Sequence, residues 1–205
     1  MITTARTGKI RWQRYAAILG FILGIILAAI VVYYYPYVQK FQQYGYLGAF
    51  LISLFGGATV LAPIPMTPVI FALGTVIKPS LAPYLGPVFI GITAGFGEAL
   101  GGLTIYWTGW YGKIAFTSIE HQGFEKVYQW LVRWIKQKGG YALFILSAVI
   151  NPFFYPAGLT FGALRYGIWR YFFISWAGKT IKGITVAMAG YWGLGSLLRL
   201  LGIPV

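Results

Sequence analysis

Few side chains here could do chemistry. Among 205 residues there are three acids, one histidine and no cysteine, a stock that leaves no paired-carboxylate, Ser-His-acid or metal-ligating arrangement. Catalysis is not expected, and neither a metal nor a cofactor is implied. The acid that stands out is Glu98, the one charge between Lys78 and Lys113. A carboxylate near the centre of a membrane span costs a few kcal/mol or more unless it is paired, protonated or turned to a wet cavity, so it reads as a transport site. The plainer reading is that it ties its helix to a hairpin by hydrogen bonds. Lys179 and Lys182 are its expected partners. If the span that carries them starts near Tyr171, Lys179 lies about 12 Å deep; if it starts only after Lys182, both lysines sit among headgroups. Thr67 and Asn151 add polar side chains at two proline-rich breaks. With Lys179, Arg165 and Arg170 they would line a wet, positive groove for an anionic phosphate headgroup. The plainer alternative is that the hairpins only pack against each other. His121 reads as a solvated loop residue. Gly95 to Gly101 is glycine spacing for helix packing, since no strand precedes it to make a nucleotide loop.

These residues are set in a chain from which no aqueous surface could be built: 59% is hydrophobic, 19% aromatic and only 9% charged, far from the composition of a soluble domain. Sixteen Lys and Arg give a formal charge of +13. Because they flank apolar runs, they imply anionic lipid rather than nucleic acid as the partner. Arg6, Lys9, Arg11 and Arg14 make residues 1–14 a basic tail, and residues 15–39 form an uncharged run long enough to cross a bilayer. That run is too long for a cleaved signal peptide. Between Lys40 and Lys78 the sequence is broken by Pro63, Pro65 and Pro68, and the arm at 69–77 is too short to span, which predicts a re-entrant hairpin. A second full span is expected over 87–111, with Pro87 in its first turn. Residues 123–138 alternate apolar and basic positions at helical spacing, as an interfacial amphipathic helix does. Thr117 and Glu120 could cap it, and Gly139-Gly140 would stop it. Over 140–164 the apolar pattern is broken at Pro152, Pro156 and Gly158, which predicts a second hairpin, followed by a third span ending near Leu198.

The two halves rhyme. Gly45-Tyr46-Leu47-Gly48-Ala49-Phe50-Leu51-Ile52-Ser53 resembles Gly140-Tyr141-Ala142-Leu143-Phe144-Ile145-Leu146-Ser147, and each precedes a proline-broken hairpin and a glycine-rich span. One hairpin plus one crossing per half makes the second copy inverted, an architecture of secondary transporters. The expected fold is thus an all-α integral membrane protein with about three transmembrane helices, two re-entrant hairpins in an inverted repeat and a cytoplasmic amphipathic helix. Residues 15–205 form one membrane domain, divided into a first repeat (41–112), a connector (113–138) and a second repeat (139–193). The N-terminal bases, Lys113, Lys126, Arg133, Lys136, Lys138, Arg165 and Arg170 fall on one side and Lys40, Lys78 and Arg199 on the other, so the N-terminus is expected in the cytoplasm. The membrane would be the plasma membrane in a prokaryote. A homo-oligomer is left open.

From about Phe41 to Gly193 this pattern resembles the DedA family and the wider VTT-domain (SNARE-associated Golgi protein-like) group. The resemblance is carried by the proline-broken hairpin, the glycine-rich span ending Tyr106-Trp107-Thr108-Gly109-Trp110-Tyr111-Gly112, the basic helix, and a second hairpin that opens Lys138-Gly139-Gly140-Tyr141 and leads through Pro152 to Ala157-Gly158. It implies movement of phospholipid or polyprenyl-phosphate-type lipid between leaflets, as a flippase or scramblase. The sequence departs from that pattern at Pro65-Met66-Thr67, which lacks the family's acid, and around Pro152, where neutral residues including Asn151 and Tyr155 stand for two arginines. Proton-coupled carriage therefore does not follow from the resemblance. Two other readings compete: a proton- or ion-coupled solute transporter on the same scaffold, and a non-transporting membrane scaffold.

Overall fold

The computed structural model describes residues 42–58, 66–79, 82–111, 125–150 and 153–194, with isolated positions at 22, 26, 30, 33 and 196. Those isolated positions apart, the expected first span lies outside the described residues, as do Pro63, Pro65, Asn151, Pro152, His121 and the Thr117 and Glu120 pair. The regular elements are all helical: α1 (Gln42–Ala58), α2 (Met66–Val76), α3 (Leu85–Tyr111), α4 (Glu125–Ala148), α5 (Phe154–Ala163) and α6 (Ile168–Ala189), the last running into a π-helical turn (Gly190–Leu194). Among the described residues, α3 is the one helix long and apolar enough to cross a membrane. Pro87 sits in its first turn, where a missing N–H has no helical partner to lose.

α3 and α6 form the centre and run antiparallel. Gly91 lies on Ile184, Gly95 on Thr180, and farther along Tyr171 Oη donates to the carbonyl of Gly102 at 3.4 Å. α1 runs parallel to α3, with Tyr46 against Phe89, Phe50 stacked on Phe96 and Thr104 Oγ1 donating to the carbonyl of Ala58. α4 runs beside α6 in the same sense, with Gly140 near Ile174 and Gly178 against Phe144 and Ser147. The short helices cross over: α2 packs on α6, where Thr75 Oγ1 donates to the carbonyl of Gly190 at 2.8 Å, and α5 packs on α3, with Gly162 on Tyr106. Two apolar cores result. One gathers Ile70, Leu73, Ile90 and Ala187; the other gathers Tyr106, Leu143, Phe161 and Tyr171.

The trios α1–α3 and α4–α6 repeat one another in their glycine contacts. Gly97 lies on the α1 backbone at Phe50 and Leu54, and Gly178 lies on the α4 backbone at Phe144 and Ala148. Gly74 of α2 meets Ala187 while Gly190 meets Phe71; Gly162 of α5 meets Tyr106 while Gly109 meets Leu159. Absence of a Cβ at these places lets backbone approach backbone, as in closely packed membrane helices. In this correspondence Glu98, which follows Gly97, is matched by Lys179, which follows Gly178.

Three expectations need correction. The amphipathic segment and the first arm of the second hairpin are one helix, so the boundary at residues 138 and 139 falls inside α4. Gly139 and Gly140 do not stop it; they lie inside α4 facing Tyr166 and Ile174, where an added Cβ would come within 3.4 Å and 3.3 Å of the neighbouring side chain. Pro68 and Pro156 are not in the breaks: each is the third residue of its helix, where a ring clashes with no preceding turn, and Gly158 is interior to α5. The third span passes at Gly190–Leu194 through a π-helical turn and is helical again at Ser196, while its expected end near Leu198 lies outside the described residues. The amphipathic reading of α4 holds on its described face, with Ile135 buried and Arg133, Lys136 and Lys138 exposed.

Candidate functional site

Glu98 lies halfway along α3, about 20 Å from either end of a helix about 40 Å long, between the two cores and opposite α6. Lys179 and Lys182 are one turn apart on α6 and share a face. Both ammonium groups donate to the same oxygen, Glu98 Oε1, at 2.6 Å each. The side chains are 1% (Lys179), 15% (Lys182) and 10% (Glu98) exposed, so neither lysine reaches outward as a headgroup-seeking side chain would. Ion-assisted hydrogen bonds of this kind are roughly twice as strong as neutral ones. Gly57 lets the end of α1 rest directly on the Glu98 backbone: a Cβ there would stand 2.9 Å from Glu98 Cα.

The second hairpin closes on the same place. Phe154, first residue of α5, puts its ring 3.6 Å from Lys179 Nζ, a cation–π contact worth up to about 2 kcal/mol when desolvated. Tyr155 Oη donates to the carbonyl of Gly56 at 2.9 Å, which lies in the last turn of α1, where carbonyls lack helical partners. That bond joins the tip of one hairpin to the other. Between them lies a cavity of about 100 Å³, walled by Glu98, Lys179 and Lys182, by Met66 and Thr67 at the start of α2, and by Ser147 and Tyr155. It is roomy enough for water. Ser147 is 2% exposed, and its hydroxyl has no hydrogen-bond partner among the described residues.

Glu98, Lys179, Lys182 and Thr67 are therefore brought together. Arg165 and Arg170 are not part of this cavity: both are exposed, and Arg170 is about 13 Å along the helix from Lys179. Arg165 instead stacks on Trp110 at 5.3 Å. It ends α5 with φ 53°, its N–H bonding to Gly162 and the N–H of Tyr166 to Phe161, a Schellman cap in which arginine takes the place usual for glycine. Sequence reasoning did not assign Ser147, Phe154 and Tyr155 to the site. Ser147 was within reach, because it closes the segment that rhymes with the one ending at Ser53.

Comparison with known protein families, with curated proteins and with solved structures finds no match. The resemblance to the DedA and VTT-domain group rests on the quoted motifs alone.

Proposed function

We propose that this chain is an integral membrane protein that moves lipids with anionic headgroups between leaflets, as the DedA and VTT-domain group it resembles is held to do. The observation that carries the reading is the buried carboxylate holding two ammonium groups halfway along an apolar helix, where the tips of two hairpins meet. Charges so deep in a span are expensive and mark a pathway by default. α2 and α5, at about 16 and 15 Å, fall well short of about 30 Å of hydrocarbon, so each hairpin enters and leaves on one side. The repeated contacts and the antiparallel α3 and α6 support an inverted pair. Phe89, Trp107, Phe173 and Ile181 are exposed, and an apolar rim suits acyl chains. Arg133, Lys136, Lys138, Arg165 and Arg170 gather toward the end of the bundle that holds the start of α6, while Lys78 lies by Tyr191 at the other end. By the positive-inside rule the first end is cytoplasmic.

The test is chemical reduction of fluorescent phospholipid in liposomes that contain the purified protein. Wild type should give rapid loss of inner-leaflet signal. Glu98→Gln, and a variant altered at the Pro63 and Pro65 tip, should decay slowly while retaining a cooperative unfolding transition. Equal slow decay in all three would remove passive scrambling of the tested lipids. Solute uptake driven by a pH or ion gradient would then take its place as the better reading.

A further inference from the structure

The charges at the centre do not balance. Two lysines share one carboxylate oxygen, and no second carboxylate reaches them among the described residues. A buried charge left uncompensated costs several kcal/mol even after relaxation, so any group that offsets it stabilises the site. The helix ends do not decide the sign. α2 and α5 begin at the cavity, which favours negative charge, but α1 and α4 end there, which favours positive charge, and the two effects largely offset. What remains is the excess ammonium group, and Lys182 is the more exposed of the pair. Beside it lie about 100 Å³ of space and the Ser147 hydroxyl, buried and without a partner among the described residues. A hydroxyl can donate as well as accept, and an anion is the ligand that would use the donor and the spare positive charge together.

We infer that this cavity binds a small, singly charged inorganic anion, a halide or dihydrogen phosphate, held by Lys182 with Lys179 and by the hydroxyl of Ser147. The volume admits such an ion and a water. The inference uses the same cluster as the transport reading but does not require that lipid moves. Under both readings together, the free anion occupies the place that a headgroup phosphate takes in transit, and the two compete.

Thermal unfolding of the full chain in uncharged detergent tests it, with sodium chloride or phosphate exchanged for gluconate at fixed ionic strength. At saturating anion the wild-type midpoint should rise by roughly 5–10 °C relative to gluconate. Lys182→Met should abolish the rise, because the remaining Glu98–Lys179 pair is neutral, and its midpoint in gluconate should equal or exceed that of wild type. Ser147→Ala should weaken the response while leaving the fold intact. A midpoint indifferent to the anion, or an equal rise in Lys182→Met, overturns the inference. So does a response to short-chain phosphatidylglycerol with none to chloride or phosphate, which would assign the cavity to the headgroup alone. Because lipid movement is read in liposomes and anion binding by unfolding, failure of one leaves the other standing.

Discussion

Glu98 is the residue on which the others depend, since it is the shared acceptor for both ammonium groups. Removing its charge leaves a buried and a partly buried cation side by side, and breaking a buried pair from one side costs about 3–5 kcal/mol. Glu98→Gln is therefore expected to lower the unfolding midpoint by about 10 °C or more. Lys182→Met leaves a one-to-one pair and should change stability by about 1 kcal/mol or less, provided anions are absent. Lys179→Met falls between, because it keeps a Glu98–Lys182 pair but loses the Phe154 contact. Calorimetric or fluorescence-detected unfolding of the three variants checks the order, and a Lys182→Met loss as large as that of Glu98→Gln would show that the second lysine is integral to the pair. The charged members of this site were legible because charge is rare in so apolar a chain; each one had to be explained. Ser147, Phe154 and Tyr155 were not, because hydroxyls and aromatics are common throughout this chain. Their role appears only when one hairpin tip folds onto the other half's helices.

At the scale of the helices, packing is set by where a Cβ is missing. A Cβ at Gly178 would stand 2.6 Å from Ser147 Cβ and 2.7 Å from the carbonyl oxygen of Phe144, and one at Gly97 would collide with the carbonyl of Phe50. Gly97→Ala and Gly178→Ala should each destabilise by about 1–3 kcal/mol through overpacking. Gly48→Ala, with nothing within 4 Å of the new atom, should gain up to about 1 kcal/mol from helix propensity. Unfolding midpoints separate the two cases; similar effects at all three positions would mean that α1 and α4 do not lie where their glycine contacts put them. The same principle explains where pattern reading faltered. Gly139-Gly140 looks like a stop signal, yet α4 runs straight through it, packed beside Tyr166 and Ile174. Prolines mark the neighbourhood of a break, but a proline tolerated in a first turn, like Pro68 or Pro156, lies just past it. Arg165 looked like a headgroup ligand by charge, whereas its backbone ends α5. Arg165→Gly should accordingly be neutral or stabilising by about 1 kcal/mol, since glycine takes φ 53° without the side-chain cost. A loss of lipid movement in that variant, with stability unchanged, would restore a functional role to the guanidinium.

For the molecule as a whole, the matched contacts of the two trios make the ion pair a point of near-symmetry: Glu98 and Lys179 are each other's counterparts, and they meet where α3 and α6 cross. Lys182 has no such counterpart, because the matching position on α3 is Gly101. The excess charge thus lies on one side of an otherwise balanced crossing, which is where a ligand could act differently on the two halves. A matched arrangement gives two related states of similar energy only if the halves are inverted across the bilayer, and that is open to direct measurement. The chain has no cysteine, so single cysteines can be read without background. Tyr84, before α3, is 57% exposed and Trp192, after α6, is 65% exposed; Arg170 lies at the exposed start of α6. In sealed vesicles a membrane-impermeant maleimide should label Tyr84→Cys and Trp192→Cys from one side and Arg170→Cys from the other. Thr67→Cys, at the cavity, should react slowly from both. Labelling of Tyr84→Cys and Arg170→Cys from the same side would mean that α3 and α6 do not cross the bilayer in opposite senses, and the inverted reading would have to be given up along with the transport path built on it.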